Sequence, residues 1–125
     1  MKIKEVEKQL SMSSHTLRYY EKMGLINPQR DENGYRDYTF EDIEKLKKIH
    51  FLRELEIPIE DIIAIFEQST NFQTVLEHHI QKIDTQIASL QYIQQICHEF
   101  QKKDIPFWMF CVKNNYWNKN ILIKN

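Results

Sequence analysis

A chain of 125 residues with a formal net charge of −1 has room for one domain plus an extension, or two small units, and carries no general positive field. Only two glycines and three prolines are too few for the turns of an all-β fold, so helix should dominate. The chain opens without a signal-like segment, has no apolar run of bilayer length and places its two cysteines far apart, which together point to a reducing cytoplasm, no membrane and free thiols.

Charge is uneven along the chain. Residues 1–53 hold 11 Lys+Arg against 9 Asp+Glu, whereas residues 54–75 hold none against 5. Affinity for a polyanion would therefore rest on locally placed cations. Ile3, Val6 and Leu10 recur at helical spacing and predict a short helix over 2–10, followed by a tight connection through Ser11 and Met12. A second helix starts at Ser13, a side chain suited to satisfying a free amide at a helix start, and stops at Gly24, which reaches left-handed backbone angles without steric penalty. Side chains three and four apart share a helix face. Leu17, Tyr20 and Met23 thus form an apolar side, while His15, Arg18, Tyr19 and Lys22 point the other way. Two fixed positive charges, an imidazole and a phenol on one face suit phosphate oxygens and base edges.

Residues 28–34 form a turn cluster ending in Asn33-Gly34, a strong hairpin signal because both residues tolerate positive φ. The alternating Tyr35-Arg36-Asp37-Tyr38 reads as the returning strand, so a small hairpin wing stands beside a helix-turn-helix, with Arg36 at its edge. Thr39, followed by Glu41 and Asp42, caps a third helix whose inner face is Ile43, Leu46, Ile49, His50 and Leu52, running to about Glu54. Pro58 precedes a fourth helix with Ile59, Ile62, Ile63 and Phe66 as its buried side. After a polar break at Ser69-Thr70-Asn71, one helical pattern runs from Phe72 to Lys103 without Gly or Pro. Leu76, Ile80, Ile83, Ile87 and Leu90 alternate four and three apart in it, the pattern of a coiled-coil seam. Nothing else in so short a chain could cover that stripe, so a homodimer is expected.

Taken together, Thr16-Leu17-Arg18-Tyr19-Tyr20-Glu21 with Gly24-Leu25, the segment Asn33 to Tyr38, and Phe51-Leu52-Arg53-Glu54-Leu55 resemble the MerR family of bacterial transcription regulators. The resemblance implies a mainly α fold: a winged helix-turn-helix DNA-binding domain over 1–70, a long antiparallel coiled-coil dimerisation helix over 71–103, and a short aromatic-rich tail over 104–125. It further implies a homodimer on a near-palindromic promoter operator. There an effector causes the DNA to be bent and untwisted, so that RNA polymerase is affected indirectly through the promoter. Carried onto this chain, Arg18 and Tyr19 correspond to DNA contacts, Tyr20 both packs and reaches the backbone, and Arg36 and Tyr38 correspond to wing contacts with phosphate. Ser13, His15, Thr16 and Lys22 complete the expected DNA-binding set. Ser11 and Glu56 stand where the family usually has glycine, at a cost of up to ~1 kcal/mol each if the backbone needs positive φ.

The effector is the least legible part. The paired-cysteine loop of metal-sensing members is absent, and no cofactor is expected. In an antiparallel pair crossing near Ile87, Cys97 and His98 would lie opposite the other subunit's His78 and His79, a donor set of metal-binding character. That gives an alternative reading as a metal- or thiol-binding sensor, beside the blander one in which Cys97 is a small seam residue and the histidines face solvent. No nucleophile–base pair, carboxylate dyad or phosphate-cradling glycine loop supports an enzyme.

Overall fold

The computed structural model describes residues 1–103, and the aromatic-rich tail lies outside them. In chain order the elements are α1 (Ile3–Leu10), α2 (Ser14–Lys22), β1 (Gln29–Arg30), β2 (Arg36–Asp37), α3 (Phe40–Glu54), α4 (Ile59–Phe66) and α5 (Phe72–Lys103). The first compact unit runs from Met1 to His79 and a second begins at Ile80, so α5 starts within the first.

Side chains start three of the helices. Ser13 Oγ accepts from the Thr16 amide at 3.1 Å, and Asn71 Oδ1 accepts from the Thr74 amide at 2.8 Å. Thr39 and Asp42 form a reciprocal capping box, each side chain accepting from the other's backbone amide at 3.1 and 2.9 Å.

The first four helices end in the same way. A residue one position past α1, and two positions past α2, α3 and α4, takes a left-handed conformation, and the amide after it bonds five residues back: Met12 to Glu7, Leu25 to Tyr20, Ile57 to Leu52 and Ser69 to Ala64. Only one of these positions is a glycine, Gly24 at φ +80°. The others are Ser11, Glu56 and Gln68, with φ of 53°, 61° and 62°. The family pattern points to Ser11 and Glu56 as replacements for glycine. It gives no such sign for Gln68.

The wing departs from the expected hairpin. Its first strand falls inside the segment read as a turn, with Gln29 opposite Asp37 and Arg30 opposite Arg36. The connection is longer than an Asn-Gly turn. Asp31 Oδ1 accepts from the amides of Asn33 and Tyr35, both at 2.9 Å, and only Gly34 uses positive φ. A carboxylate that serves two amides stabilises the longer loop, which a dipeptide signal could not convey. Lys2 adds a bridge to Asp37 on the open side of β2.

Below the wing lies one core. Val6, Leu17, Leu46, Ile49, Ile57 and Ile62 are fully enclosed, drawn from α1, α2, α3, α4 and the turn before α4. Val75 closes it from α5, with Phe72 and Leu76 packed partly against it. His50 does not belong to the inner face as expected; it is exposed and pairs with Glu54 at 3.1 Å. One face of α3 is already filled by four aliphatic residues, and an imidazole i,i+4 from a carboxylate is better placed in water.

Candidate nucleic-acid interface

α2 separates its two faces as the spacing required. Leu17 and Tyr20 are buried, while Ser13, His15, Arg18, Tyr19 and Lys22 are exposed and Thr16 is half-exposed beside the cap. Tyr19, 42% exposed, lies with its ring 6.1 Å from that of Tyr20, so a phenol stands outside on a base provided by a buried one. Ser13 is already the N-cap, and its hydroxyl lies 2.9 Å from that of Thr16.

The wing is fastened to this helix through one carboxylate. Arg30 and Arg36 face each other across the strands, an arrangement that like charges disfavour. Glu21 resolves it. Its Oε1 accepts from Arg36 Nε at 2.6 Å and its Oε2 from Arg30 Nη2 at 3.1 Å, with Glu21 and Arg36 both largely covered. Arg36, expected at the wing's edge facing phosphate, is therefore first of all a tie between wing and helix. The more exposed Arg30, which reads in the sequence as part of a turn, stands further out.

Between α1, α2 and the wing opens a cleft of about 420 Å³ lined by Lys2, Lys4, Arg18, Arg30 and Arg36. Among its lining residues Asp31 is the one acid, and it is paired with Lys2 at 2.6 Å. That pairing holds the Asp31 carboxyl below its ordinary value, helped by the Tyr35 and Asn33 amides, and raises the Lys2 ammonium. Sequence reasoning misses Lys2, Lys4 and Arg30 because each sits outside the recognition motif; only folding brings them round Arg18. A second cleft of about 450 Å³, lined by Thr16, Tyr19, Arg53 and Glu60 among others, flanks the same helix. Arg53 reaches it while donating to the Ile57 carbonyl at 2.6 Å, so the conformation that ends α3 also places a cation beside Tyr19. A convex helix carrying Arg18 and Tyr19, with cation-bearing hollows on both sides, matches a duplex groove between two phosphate ridges.

Two tyrosines of the expected DNA-binding set are buried, and Tyr38 is a core residue where a wing contact with phosphate was expected. Tyr38 is only 2% exposed, and its hydroxyl is buried without a hydrogen-bond partner among the described residues. Its ring completes the core under the wing, and burial pushes its phenol pKa up. Tyr20 is likewise buried, at 6% exposure, and its phenol is raised by burial; it packs in the core and shows one edge to the second cleft, beside Tyr19 and Arg53. Aromatic residues in a domain this small are taken by the core before they are available to a ligand.

On α5, Leu76 is drawn into the first unit's core, whereas Ile80, Ile83, Ile87 and Leu90 are exposed, and Ile93 continues the row at 54%. Of the candidate metal donors, His79 is engaged: its Nε2 lies 2.6 Å from the Leu55 carbonyl oxygen at the end of α3. His78, Cys97 and His98 are exposed, and no group of three or more His, Cys, Asp or Glu side chains able to hold a metal occurs within the chain among the described residues. None of the described helices is long and apolar enough to cross a membrane.

Comparison with known proteins agrees with this geometry. The model of the MerR HTH family regulatory proteins matches residues 1–69. The chain is 31% identical over 120 residues to the HTH-type transcriptional regulator HmrR of Rhizobium leguminosarum bv. viciae, covering 85% of this chain and 93% of that protein. Its fold is similar to that of the N-terminus of MtaN, the Bacillus subtilis multidrug transporter activator, with a TM-score of 0.74 at 21% identity over 81% of this chain and 97% of that one. EcmrR, seen in a cryo-EM structure of an EcmrR–DNA complex, gives a TM-score of 0.70 at 28% identity, covering 84% of this chain and 41% of that one. A recognition helix flanked by cations, a wing tied to it, and these likenesses in sequence and fold lead to one conclusion: the chain belongs to the MerR HTH family and is a DNA-binding transcriptional regulator, not an enzyme.

Proposed function

We propose that two copies of this chain pair antiparallel through α5 and bind a near-palindromic promoter operator, with one α2 in the major groove of each half-site. The observation that carries this reading is the exposed row Ile80, Ile83, Ile87, Leu90 and Ile93, five large apolar side chains on one helix that a lone subunit leaves in water. Residues 1–70 serve as the DNA-binding domain and 71–103 as the dimerisation helix. Arg18 and Tyr19 read base edges, His15 and Lys22 extend that contact, and Ser13, Thr16, Lys4, Arg30 and Arg53 hold phosphates on either side. Arg36 contributes through Glu21, by fixing the wing. A small effector then shifts the pair toward a state that bends and untwists the promoter, so that RNA polymerase responds through the DNA. The setting is the bacterial cytoplasm, where promoter and polymerase meet.

The test is binding to the DNA upstream of the protein's own gene over a series of salt concentrations. Phosphate neutralisation makes log affinity fall linearly with log salt. Arg18→Ala should lose about 1–3 kcal/mol of specific binding and blur discrimination at one base position, whereas Lys4→Ala should weaken all sequences alike and flatten the salt slope by about one. Binding indifferent to sequence, or insensitive to both substitutions, would refute the reading.

A further inference from the structure

Leu55 closes α3, and its carbonyl is one of those that a helix end leaves without an intrahelical amide. The next two amides turn back past it: Glu56 donates to the Arg53 carbonyl at 2.9 Å and Ile57 to that of Leu52 at 3.2 Å. A side chain from another helix serves the Leu55 carbonyl instead. His79 Nε2, on α5, lies 2.6 Å from its oxygen. A carbonyl only accepts, so Nε2 carries the proton and donates it. His79 is the last residue of the first compact unit, so this clasp lies wholly within that unit.

The turn that His79 holds also governs Arg53. Between the carbonyls of Leu55 and Ile57 stands Glu56, left-handed at φ 61°, a conformation that a residue with a side chain leaves readily when nothing fixes it. Both flanking carbonyls are fixed by side chains. His79 holds that of Leu55, and Arg53 Nη1 donates to that of Ile57 at 2.6 Å. The Ile57 side chain is fully enclosed, so the peptide planes around Glu56 are the part of the turn able to rotate. Release of the Leu55 carbonyl lets Glu56 leave the left-handed region, and the Ile57 carbonyl then turns away from Arg53. The guanidinium that lines the second cleft with Thr16, Tyr19 and Glu60 would lose its fixed place. We propose that His79 is a positioning residue for DNA binding: through the Leu55–Ile57 turn it sets the Arg53 guanidinium beside Tyr19. This rests on the reading of Arg53 as a phosphate contact.

The test is a mutant cycle on the full chain, read as affinity over a series of salt concentrations for a random duplex and for the DNA upstream of the protein's own gene. Arg53→Ala removes one phosphate contact and is expected to flatten the slope of log affinity against log salt by about one on both duplexes. His79→Ala should weaken binding about fivefold, flatten the same slope, and add nothing once Arg53 is alanine. His79→Gln keeps an N–H at the reach of Nε2 and should bind as the unmodified chain does. His79→Asn, shorter by one methylene, should behave as the alanine variant. That contrast separates the lost hydrogen bond from a general loss of fold, since both substitutes are neutral amides at one position. A loss that comes through folding or pairing would persist in the Arg53→Ala background. Unchanged binding in His79→Ala, a loss that adds to that of Arg53→Ala, or an equal loss in His79→Gln overturns the positioning and leaves Arg53 as a phosphate contact. An Arg53→Ala variant with unaltered affinity and slope overturns the reading of Arg53 and this role of His79 with it.

Discussion

Glu21 and Arg36 lie 2.6 Å apart, and that contact joins the recognition helix to the wing. The same carboxylate holds Arg30, which the strand register sets directly across from Arg36. Without it, two like charges would oppose each other in a hairpin of two-residue strands, whose other ties run to the N-terminal residues and within its own loop, not to α2. Glu21→Gln should therefore loosen the wing although it adds positive charge to the DNA-facing side. Specific affinity is expected to fall roughly tenfold, about 1.4 kcal/mol, while non-specific affinity stays level or rises. Titration of the variant against operator and random duplex checks this; a parallel gain on both would show that Glu21 acts only as an unfavourable charge.

Tyr38 offers a test with the opposite sign. Its hydroxyl is enclosed and has no partner among the described residues, and removing such a group relieves a desolvation penalty. Tyr38→Phe should raise unfolding stability by about 1 kcal/mol and leave operator affinity unchanged. Denaturant melts and a binding curve on the same sample decide it. Loss of affinity at unchanged stability would restore Tyr38 as a phosphate contact.

Three helix ends carry a side chain where the backbone is left-handed. That conformation costs an L-residue about 1–2 kcal/mol, against about 0.5–1 for the extra freedom glycine has when unfolded. Ser11→Gly, Glu56→Gly and Gln68→Gly should each stabilise by roughly 0.5–1 kcal/mol, and the triple variant by about 2 if the sites act independently. Glycine at Glu56 also removes an acid near Arg53, so its operator affinity should not drop. A flat or lowered melting temperature across the series would contradict the strain argument.

Asp31 gives the wing a pH limit. Its carboxyl titrates below the ordinary 3.8 because Lys2, then the Tyr35 and Asn33 amides, favour the charged form. A lowered carboxylate pKa means the contribution is complete above the unfolded value and is lost as pH falls through the folded one. The wing loop should keep this support at neutral pH and lose it only below the ordinary carboxyl value of 3.8. Lys2, raised by the same pair, loses its share only above 10.5. Asp31→Asn keeps an oxygen for the two amides but not the ion pair, and should flatten the acid limb, followed by amide chemical shifts of residues 31–36. An unaltered acid limb in that variant would place the transition elsewhere.

The helices and their faces were legible because amphipathic periodicity and caps are local signals: Ser13, Thr39 and Pro58 mark starts that fall where the structure puts them. Recognition-helix exposure followed from the same arithmetic. Features that depend on distant partners stayed hidden. Arg30 reads as a turn residue until Glu21 and Arg36 give it a place, and Lys2 and Lys4 gain meaning only once α1 is set beside the wing. Tyr38 alternates correctly along its strand, yet which side of a two-stranded wing faces inward is decided by the helices beneath it. Leu76 and His50 fit their periodic patterns, but packing assigned one to the core and left the other in water.

Sedimentation of the full chain beside its Ile87→Lys variant tests the pairing most directly. Ile87 is 47% exposed and lies next to the proposed two-fold axis, so a charge there meets its own copy at close range. The unmodified chain should sediment as a dimer and bind operator DNA, and Ile87→Lys should run as a folded single subunit with specific binding lost. A wild-type chain that stays monomeric at micromolar concentration, or a variant that remains paired and binds DNA as before, would contradict two recognition helices held together by α5.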